Sequence, residues 1–457
     1  MSAVEDWLLA HEAQALDTLI QFCRIPSVST DPAYAAGIAQ AAAFVAGQLT
    51  QAGFPKVEVI ETPGHPIVLA EWCDKPGAPT ILIYGHYDVQ PPDPLDKWTS
   101  PPFEPTLRDS KLYARGVSDD KGPLLIPILV AAAYRAVHGT LPLNLKVLIE
   151  GEEESGSPNF DPTVARLKHR LACDLVVSAD GAMWRADLPS VTVASRGLAA
   201  LEVVVEGAAK DLHSGRHGGS APNPIRALTH ILASLHDAEG NLQVAGFADH
   251  ALPPDPLIET AIRDVAFDAA AYFVGIGAPQ PRPLPSGTDL LTRQWLKPTL
   301  EFNGICGGYA GAGTKTVIPA TASAKITCRL VPGQVPDDVV AAIRRHLQHA
   351  LPTGFRLTVT QQGPGTPAFA LDPALPALKI VEAILTQVLG SPPLRLAMGA
   401  TIPIGEVFDR NLGVGTIFFS FSTSDEDYHA PNEHFRLSSF RTGQIAWARL
   451  FDRLGAS

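Results

Sequence analysis

Several apolar, strand-like runs in this chain stop abruptly on side chains able to hold a proton or a cation. ILIYG (81–85) runs into His86 and Asp88, LPLNLKVLI (141–149) runs into the carboxylates of GEEESG, and DLVVS (174–178) runs into Asp180. Runs this apolar need cover on both faces. In open α/β sheets the carboxyl ends of the strands are where sites form. The surrounding pattern agrees: EDWLLAHEAQALDTLIQFC, GIAQAAAFVAGQLTQAG and GPLLIPILVAAAYRAV have apolar residues at helical spacing, whereas KVEVIE, IVLAEWC and TILIYG read as strands. The first ~190 residues are therefore expected to form an α/β domain.

From about residue 190 the pattern changes. SVTVASRGLAALEVVVEG, ASAKITCRLVP and FRLTVTQQ read as strands with alternating faces, and NPIRALTHILASLHD and PDDVVAAIRRHLQHAL as helices. These predict a smaller, inserted α+β domain. A Pro-rich stretch (252–299) within it reads as loop or linker. The helix ALPALKIVEAILTQVLG, the strand GTIFFSFS and the helix SSFRTGQIAWARLFDRLG then return to the first pattern. The expected division is 1–193 and 373–457 for the α/β part and 194–372 for the insert.

A chain of 457 residues exceeds what one core normally holds. Its 46% hydrophobic and 18% charged content is that of a globular protein, and disorder is not indicated. A formal net charge of −12 without a Lys/Arg-rich block argues against nucleic-acid and anionic-membrane partners. Cys23, Cys73, Cys173, Cys306 and Cys328 are scattered and never in CxxC spacing, as reduced thiols in a cytoplasmic protein would be. The N-terminal segment carries acids at helical spacing, so neither a signal peptide nor a membrane span is expected.

Taken singly, each polar strand end has a plain explanation. HxD is a weak signal, although an imidazole that ligates a metal needs an acceptor such as Asp88 on its second nitrogen. Asp119 and Asp120 lie before a helix, where one is expected to cap it and the other is spare; with Lys121 they could equally be an exposed turn. Asp180 could cap a turn. His429, in SDEDYHAPNEHF, is one of 14 histidines. The coincidence is what the plain explanations leave over, because a doubly wound sheet would bring all these ends together. Carboxylates converging within ~4–6 Å repel one another, and divalent cations remove that cost. Two dications against three ligand carboxylates leave one positive charge for a hydroxide. Nitrogen and oxygen donors without thiolate suit zinc, and also manganese or cobalt.

GHYDVQP, ARGVSDDKGP, EGEEESGS, SAD and HAPNE resemble, in order and spacing, the motif series of the M20 family of di-zinc peptidases, most closely its dipeptidase and carnosinase-like branch. The resemblance spans nearly the whole chain. It implies a zinc-peptidase catalytic domain, a mixed sheet flanked by helices, with an inserted lid and dimerisation domain. It implies two metal ions per subunit, with His86 and Asp180 on one, Glu154 and His429 on the other, and Asp119 bridging. Asp88 would orient His86, and a cis peptide would join Asp119 to Asp120. Glu153 would be the general base acting on a water between the ions, and Glu152 a bystander. Neighbouring side chains of extended backbone point apart, which suits adjacent glutamates to different tasks.

In the insert, DLHSGRHGG resembles a loop whose histidine reaches into the partner's site of a homodimer, here His213, with His217 a second choice. CRLVPG resembles the strand whose arginine clamps a substrate carboxylate, here Arg329. The Gly-rich segment 303–319 is no phosphate loop, since it lacks GK[ST]. Where relatives read REGGSIP this chain reads AMGATIP, with Met398 in the acidic position. The resulting expectation is a cytoplasmic metallohydrolase that cuts a small peptide of dipeptide type. The alternatives are an N-acyl or N-carbamoyl amino-acid amidohydrolase on the same site, and a non-catalytic binding relative.

Overall fold

The computed structural model describes residues 2–456. The chain forms two compact units: Met1–Val193 with Leu371–Leu396 and Val407–Ser457, and Ala194–Ala370 with Ala397–Glu406. The return segment expected as 373–457 is thus interrupted. Ala397–Glu406 joins the second unit, where Arg196 and Arg329 hold it through Gly399 O and Thr401 Oγ1.

The first unit is built on a six-stranded mixed sheet in the order Lys56–Ile60, Ile67–Trp72, Asn144–Glu150, Thr80–His86, Leu175–Ser178, Thr416–Phe418. The first two strands are antiparallel to each other, and Ile67–Trp72 runs antiparallel to Asn144–Glu150. The other pairings are parallel. Asn144–Glu150 is buried at every position and Thr80–His86 at all but the first, as strands covered on both faces require. Their parallel register sets His86 opposite Glu150 and Tyr84 opposite Ser178. The polar ends of three strands therefore lie side by side at one sheet edge.

Helix Gly122–His138, apolar on most of its surface, is covered by Leu437–Gly455. Phe440, Gly443, Trp447, Leu450, Phe451 and Leu454 of that last helix recur at three- and four-residue spacing and are buried. Phe419 packs edge-on against Trp447 and Phe421, tying the end of the strand Thr416–Phe418 to the same core.

The second unit holds a four-stranded antiparallel sheet in the order Thr299–Gly307, Thr321–Leu330, Gly197–Glu206, Arg356–Gln361. Gly197–Glu206 alternates buried and half-buried residues throughout, and Leu201, Val203, Val205, Ile326, Ile343 and Leu347 share one core with the helices Pro224–Ala233 and Pro336–Ala350. Thr299–Gly307 is an edge strand, exposed from Glu301 onward. The Pro-rich stretch is not plain loop: it carries the short helices Pro256–Asp264, Ala269–Gly275 and Gly287–Trp295. Asp255, Asp268 and Ser286 accept hydrogen bonds from their first turns. Such N-caps stabilise helices only two or three turns long, which periodicity alone does not reveal.

Candidate metal centre

The centre begins where Thr80–His86 ends. A Cβ on Gly85 would come within 2.7 Å of Asp120 Oδ2, so this strand and the turn that carries Asp120 can approach so closely only with glycine there. His86 and Asp88 are wholly buried. His86 Nδ1 lies 3.1 Å from Asp88 O and 3.4 Å from Asp88 Oδ1. That fixes the ring so that Nε2 faces outward, 3.0 Å from Asp119 Oδ1. The Asp88 carboxylate also accepts from Glu153 N at 3.2 Å and Glu154 N at 3.1 Å. One buried carboxylate thereby orients both the imidazole and the triple-glutamate turn.

That turn corrects one expectation. Glu153–Ser155 is a 3-10 turn and not extended backbone, because Asp88 draws two successive amides toward itself. Glu154 turns toward His429, whose Nε2 lies 3.1 Å from Glu154 Oε2, and Gln90 Nε2 donates to the same oxygen at 2.8 Å. Glu152 points elsewhere: its carboxylate accepts from His65 N and Asn159 Nδ2 and secures the loop around Gly64.

Asp119 stands in the turn Val117–Lys121, with non-helical φ −130° and ψ 91° and a cis peptide to Asp120. Neither aspartate caps the adjoining helix, whose N-terminus has no side-chain cap. Asp120 is buried and accepts from His86 N at 3.2 Å, while Asp119 projects between the two imidazoles. Its Oδ1 is 3.0 Å from His86 Nε2 and its Oδ2 2.9 Å from His429 Nε2. Lys121 is no exposed turn charge: it is buried, and its ammonium donates to Ile25 O and Phe22 O. His429 comes from a tight loop in which Asp427, His429 and Asn432 all have positive φ.

Two sets of donor atoms converge within metal-ligand range: His86, Asp119 and Asp180, and Asp119, Glu154 and His429. Asp119 belongs to both. Each set offers one imidazole nitrogen and two carboxylates, and no thiolate, which is the donor chemistry of a hard or borderline divalent cation. The charge balance agrees. Burial, then the charge of Asp119, pushes Glu154 up to about 7, and burial pushes Asp180 up to about 6. Hydrogen bonds with Asp119 and Glu154 raise His429 to about 10. Burial opposes a charge on His86, yet its bonds to Asp119 and Asp88 hold it well above the usual imidazole range. Crowded carboxylates and imidazoles with raised proton affinity favour positive charge between them, and the residues fit a dinuclear site. Glu153 belongs to neither set, and burial raises its carboxyl well above the ordinary range, with Asp180, Glu154 and Asp119 reinforcing and His86 opposing.

Residues 82–453 match Peptidase family M20/M25/M40. The chain belongs to this family. Among M20 relatives it is 28% identical over 456 residues to the Cys-Gly metallodipeptidase DUG1 of Saccharomyces cerevisiae, covering 95% of this chain and 94% of the relative. It is 31% identical over 394 residues to the Beta-Ala-His dipeptidase of Homo sapiens, covering 85% and 77%. Its structure resembles that of the M20 family metallo-carboxypeptidase Sso-CP2 from Sulfolobus solfataricus with a TM-score of 0.84 and 29% identity, covering 97% and 99% of the two chains. As an M20 member the chain is a metallopeptidase, with the α/β domain and smaller inserted domain described above.

The M20 centre has a support that the motif reading passed over. Glu433, fully buried, accepts from Arg115 Nη1 and Gly116 N on Oε2, both at 2.8 Å, and from Ser118 N (2.9 Å) and Asp119 N (3.2 Å) on Oε1. Glu426, also buried, accepts from Ser118 Oγ at 2.7 Å and from Arg436 Nη1 at 2.9 Å. The segment that carries His429 therefore grips the turn that carries Asp119.

His213 and Arg329 are in neither donor set; both belong to the second unit. His213 is exposed, accepts from Gly215 N on Nδ1, and lies with Nε2 3.4 Å from Thr316 Oγ1. His217 is exposed in the short helix Ser214–His217. Arg329 is half-buried and donates from Nη1 to Thr401 Oγ1 at 2.6 Å.

Proposed function

We propose that the chain hydrolyses dipeptides at a dinuclear centre made by His86 and Asp180 on one ion, Glu154 and His429 on the other, and Asp119 on both. The observation that carries this reading is the Asp119 carboxylate, which presents one oxygen to each imidazole. Two divalent ions, zinc with manganese or cobalt as alternatives, would supply Lewis acidity toward the scissile carbonyl and make water more acidic. Glu153 carries the proton. Its carboxylate takes one from the attacking water as the O–C bond forms, then gives it to the amine nitrogen as the C–N bond breaks, releasing a carboxylate and an amine. Its raised affinity for protons, set by burial and its acidic neighbours, suits both halves of that transfer. Asp88 keeps the His86 ring in place.

Within the same reading, Arg329 holds the C-terminal carboxylate of the substrate, a task that suits its planar fork. His213 serves the partner's site in a homodimer. The exposed edge strand Thr299–Gly307, with Phe302 and Ile305 open to solvent, supports a second copy as the element that covers it. All five cysteines are free, which supports a reducing, cytoplasmic setting. No helix among the described residues is long and apolar enough to cross a membrane. Met398, half-buried and uncharged where the motif resemblance places an acid, favours a second class of substrate with a blocked amine, such as N-acyl or N-carbamoyl amino acids.

Chelation and reloading test the proposal. The chelated protein should lose hydrolysis of a dipeptide panel and regain it on binding two equivalents of zinc per chain by calorimetry. A single equivalent at full activity would remove the dinuclear reading.

A further inference from the structure

Two arginines of the second unit, Arg196 and Arg329, share one face of its sheet, and among the described residues neither is bonded to a carboxylate. The strands Gly197–Glu206 and Thr321–Leu330 are antiparallel neighbours, with Leu198 opposite Arg329 and Gly197 opposite Leu330. Continuing that register sets Arg196 and Arg329 diagonally on one face, opposite to the face buried by the two helices. Both reach the segment Ala397–Glu406. Arg196 donates from Nε to Gly399 O at 2.8 Å and from Nη1 to Lys297 O at 3.3 Å, and Arg329 donates to Thr401 Oγ1.

Every one of these acceptors is neutral. Among the described residues no carboxylate lies within ion-pair distance of either guanidinium. A guanidinium carries five N–H donors in a fixed fork, of which Arg196 uses two and Arg329 one. Burial, then the charge of Arg329, lowers Arg196 to about 10, with Glu301, diagonal to Arg329 on the neighbouring edge strand, opposing. Backbone carbonyls alone would explain one arginine as a tie for the segment. They do not explain a second cation brought beside it, since half-buried like charges destabilise each other unless an anion joins them.

We propose that Arg196 and Arg329 form a dicarboxylate subsite, so that the preferred substrates are dipeptides whose C-terminal residue is aspartate or glutamate. The α-carboxylate takes one guanidinium and the side-chain carboxylate the other. A single carboxylate would leave one positive charge unmatched, and two balance the pair. This deepens the reading that Arg329 holds the C-terminal carboxylate, and rests on it.

The zinc-loaded full-length protein is assayed for kcat/KM on Ala-Asp against Ala-Asn and on Ala-Glu against Ala-Gln. The acidic member of each pair should be favoured by about tenfold or more, and Arg196→Met should bring the ratio to about one. Arg196→Lys keeps the charge without the fork and should retain a reduced preference, which covers the case that Arg196→Met does not fold. Calorimetry with N-acetyl-aspartate and N-acetyl-asparagine as probes separates the two readings. If no dipeptide is cut but the dicarboxylate still binds about tenfold tighter through Arg196, the dipeptidase reading falls and the subsite stands. Equal ratios in the wild type, or a preference removed by Arg329→Met and untouched by Arg196→Met, would overturn it.

Discussion

Glu153 and Glu154 are adjacent and chemically identical, yet their surroundings assign them different work. Glu154 is engaged by His429 Nε2 and Gln90 Nε2, whereas Glu153 enters neither donor set and is held through its backbone, its amide on Asp88 and its carbonyl on Gly156 N. Glu153→Gln removes a proton acceptor while leaving the ligands intact. It should lower kcat by about 10²–10⁴-fold, the usual contribution of a general base, with both ions still bound by calorimetry. Glu154→Gln should instead weaken one of the two ions, which can be read as a stoichiometry falling toward one at limiting zinc. Swapped phenotypes would shift the register of the glutamates by one. The division of labour was legible in the sequence only through the motif resemblance. The extended backbone used to rationalise it is replaced by a 3-10 turn that Asp88 imposes from outside the segment.

At the scale of elements, the turn Val117–Lys121 and the segment 422–436 act together. Ser422 Oγ donates to Ser118 O, Glu426 accepts from Ser118 Oγ, and Glu433 accepts from the Ser118 and Asp119 amides of the turn, from Gly116 N just before it and from Arg115. Glu433→Gln puts amide N–H groups against backbone N–H groups and leaves Arg115 buried without its ion pair. Breaking a buried pair from one side costs about 3–5 kcal/mol. The variant should therefore unfold at a lower midpoint in denaturant with the slope unchanged, and should bind zinc more weakly even under conditions where it is folded. Unaltered affinity in the folded variant would make Glu433 a support of the fold alone. The same pair of elements shows where sequence reading stops. Strand ends such as YGH and LIE are legible because the apolar runs that precede them are continuous. The role of Glu433 is not, although it closes the HAPNE motif, because Ser118 N, one of its donors, lies 315 positions away. Lys121 misled for a similar reason: its acceptors, Phe22 O and Ile25 O, lie on a distant helix end.

For the whole molecule, the open issue is which chain completes a site. The first unit holds every member of the two donor sets, while the His213 ring is exposed in the second unit, where it meets Gly215 N and Thr316 Oγ1 and its backbone pairs with Val317. An exposed imidazole without a demanding partner is free to serve a neighbour. The edge strand Thr299–Gly307, exposed from Glu301 to its end, offers backbone donors and acceptors for pairing with its equivalent in a second copy. If His213 acts across that pairing, two inactive variants should complement each other. In a hybrid of a His213→Ala chain and a Glu153→Gln chain, the first chain's site has its own Glu153 and receives His213 from the second, while the other site lacks both. Random exchange of equal amounts makes half of the dimers hybrids, each with one working site of two, so activity should recover to about a quarter of wild type. Subunit exchange is verified separately, by mass on differently tagged chains. Exchange without recovery would place His213 in its own chain's site or outside the reaction, and a chain that stays monomeric at assay concentration would remove the premise.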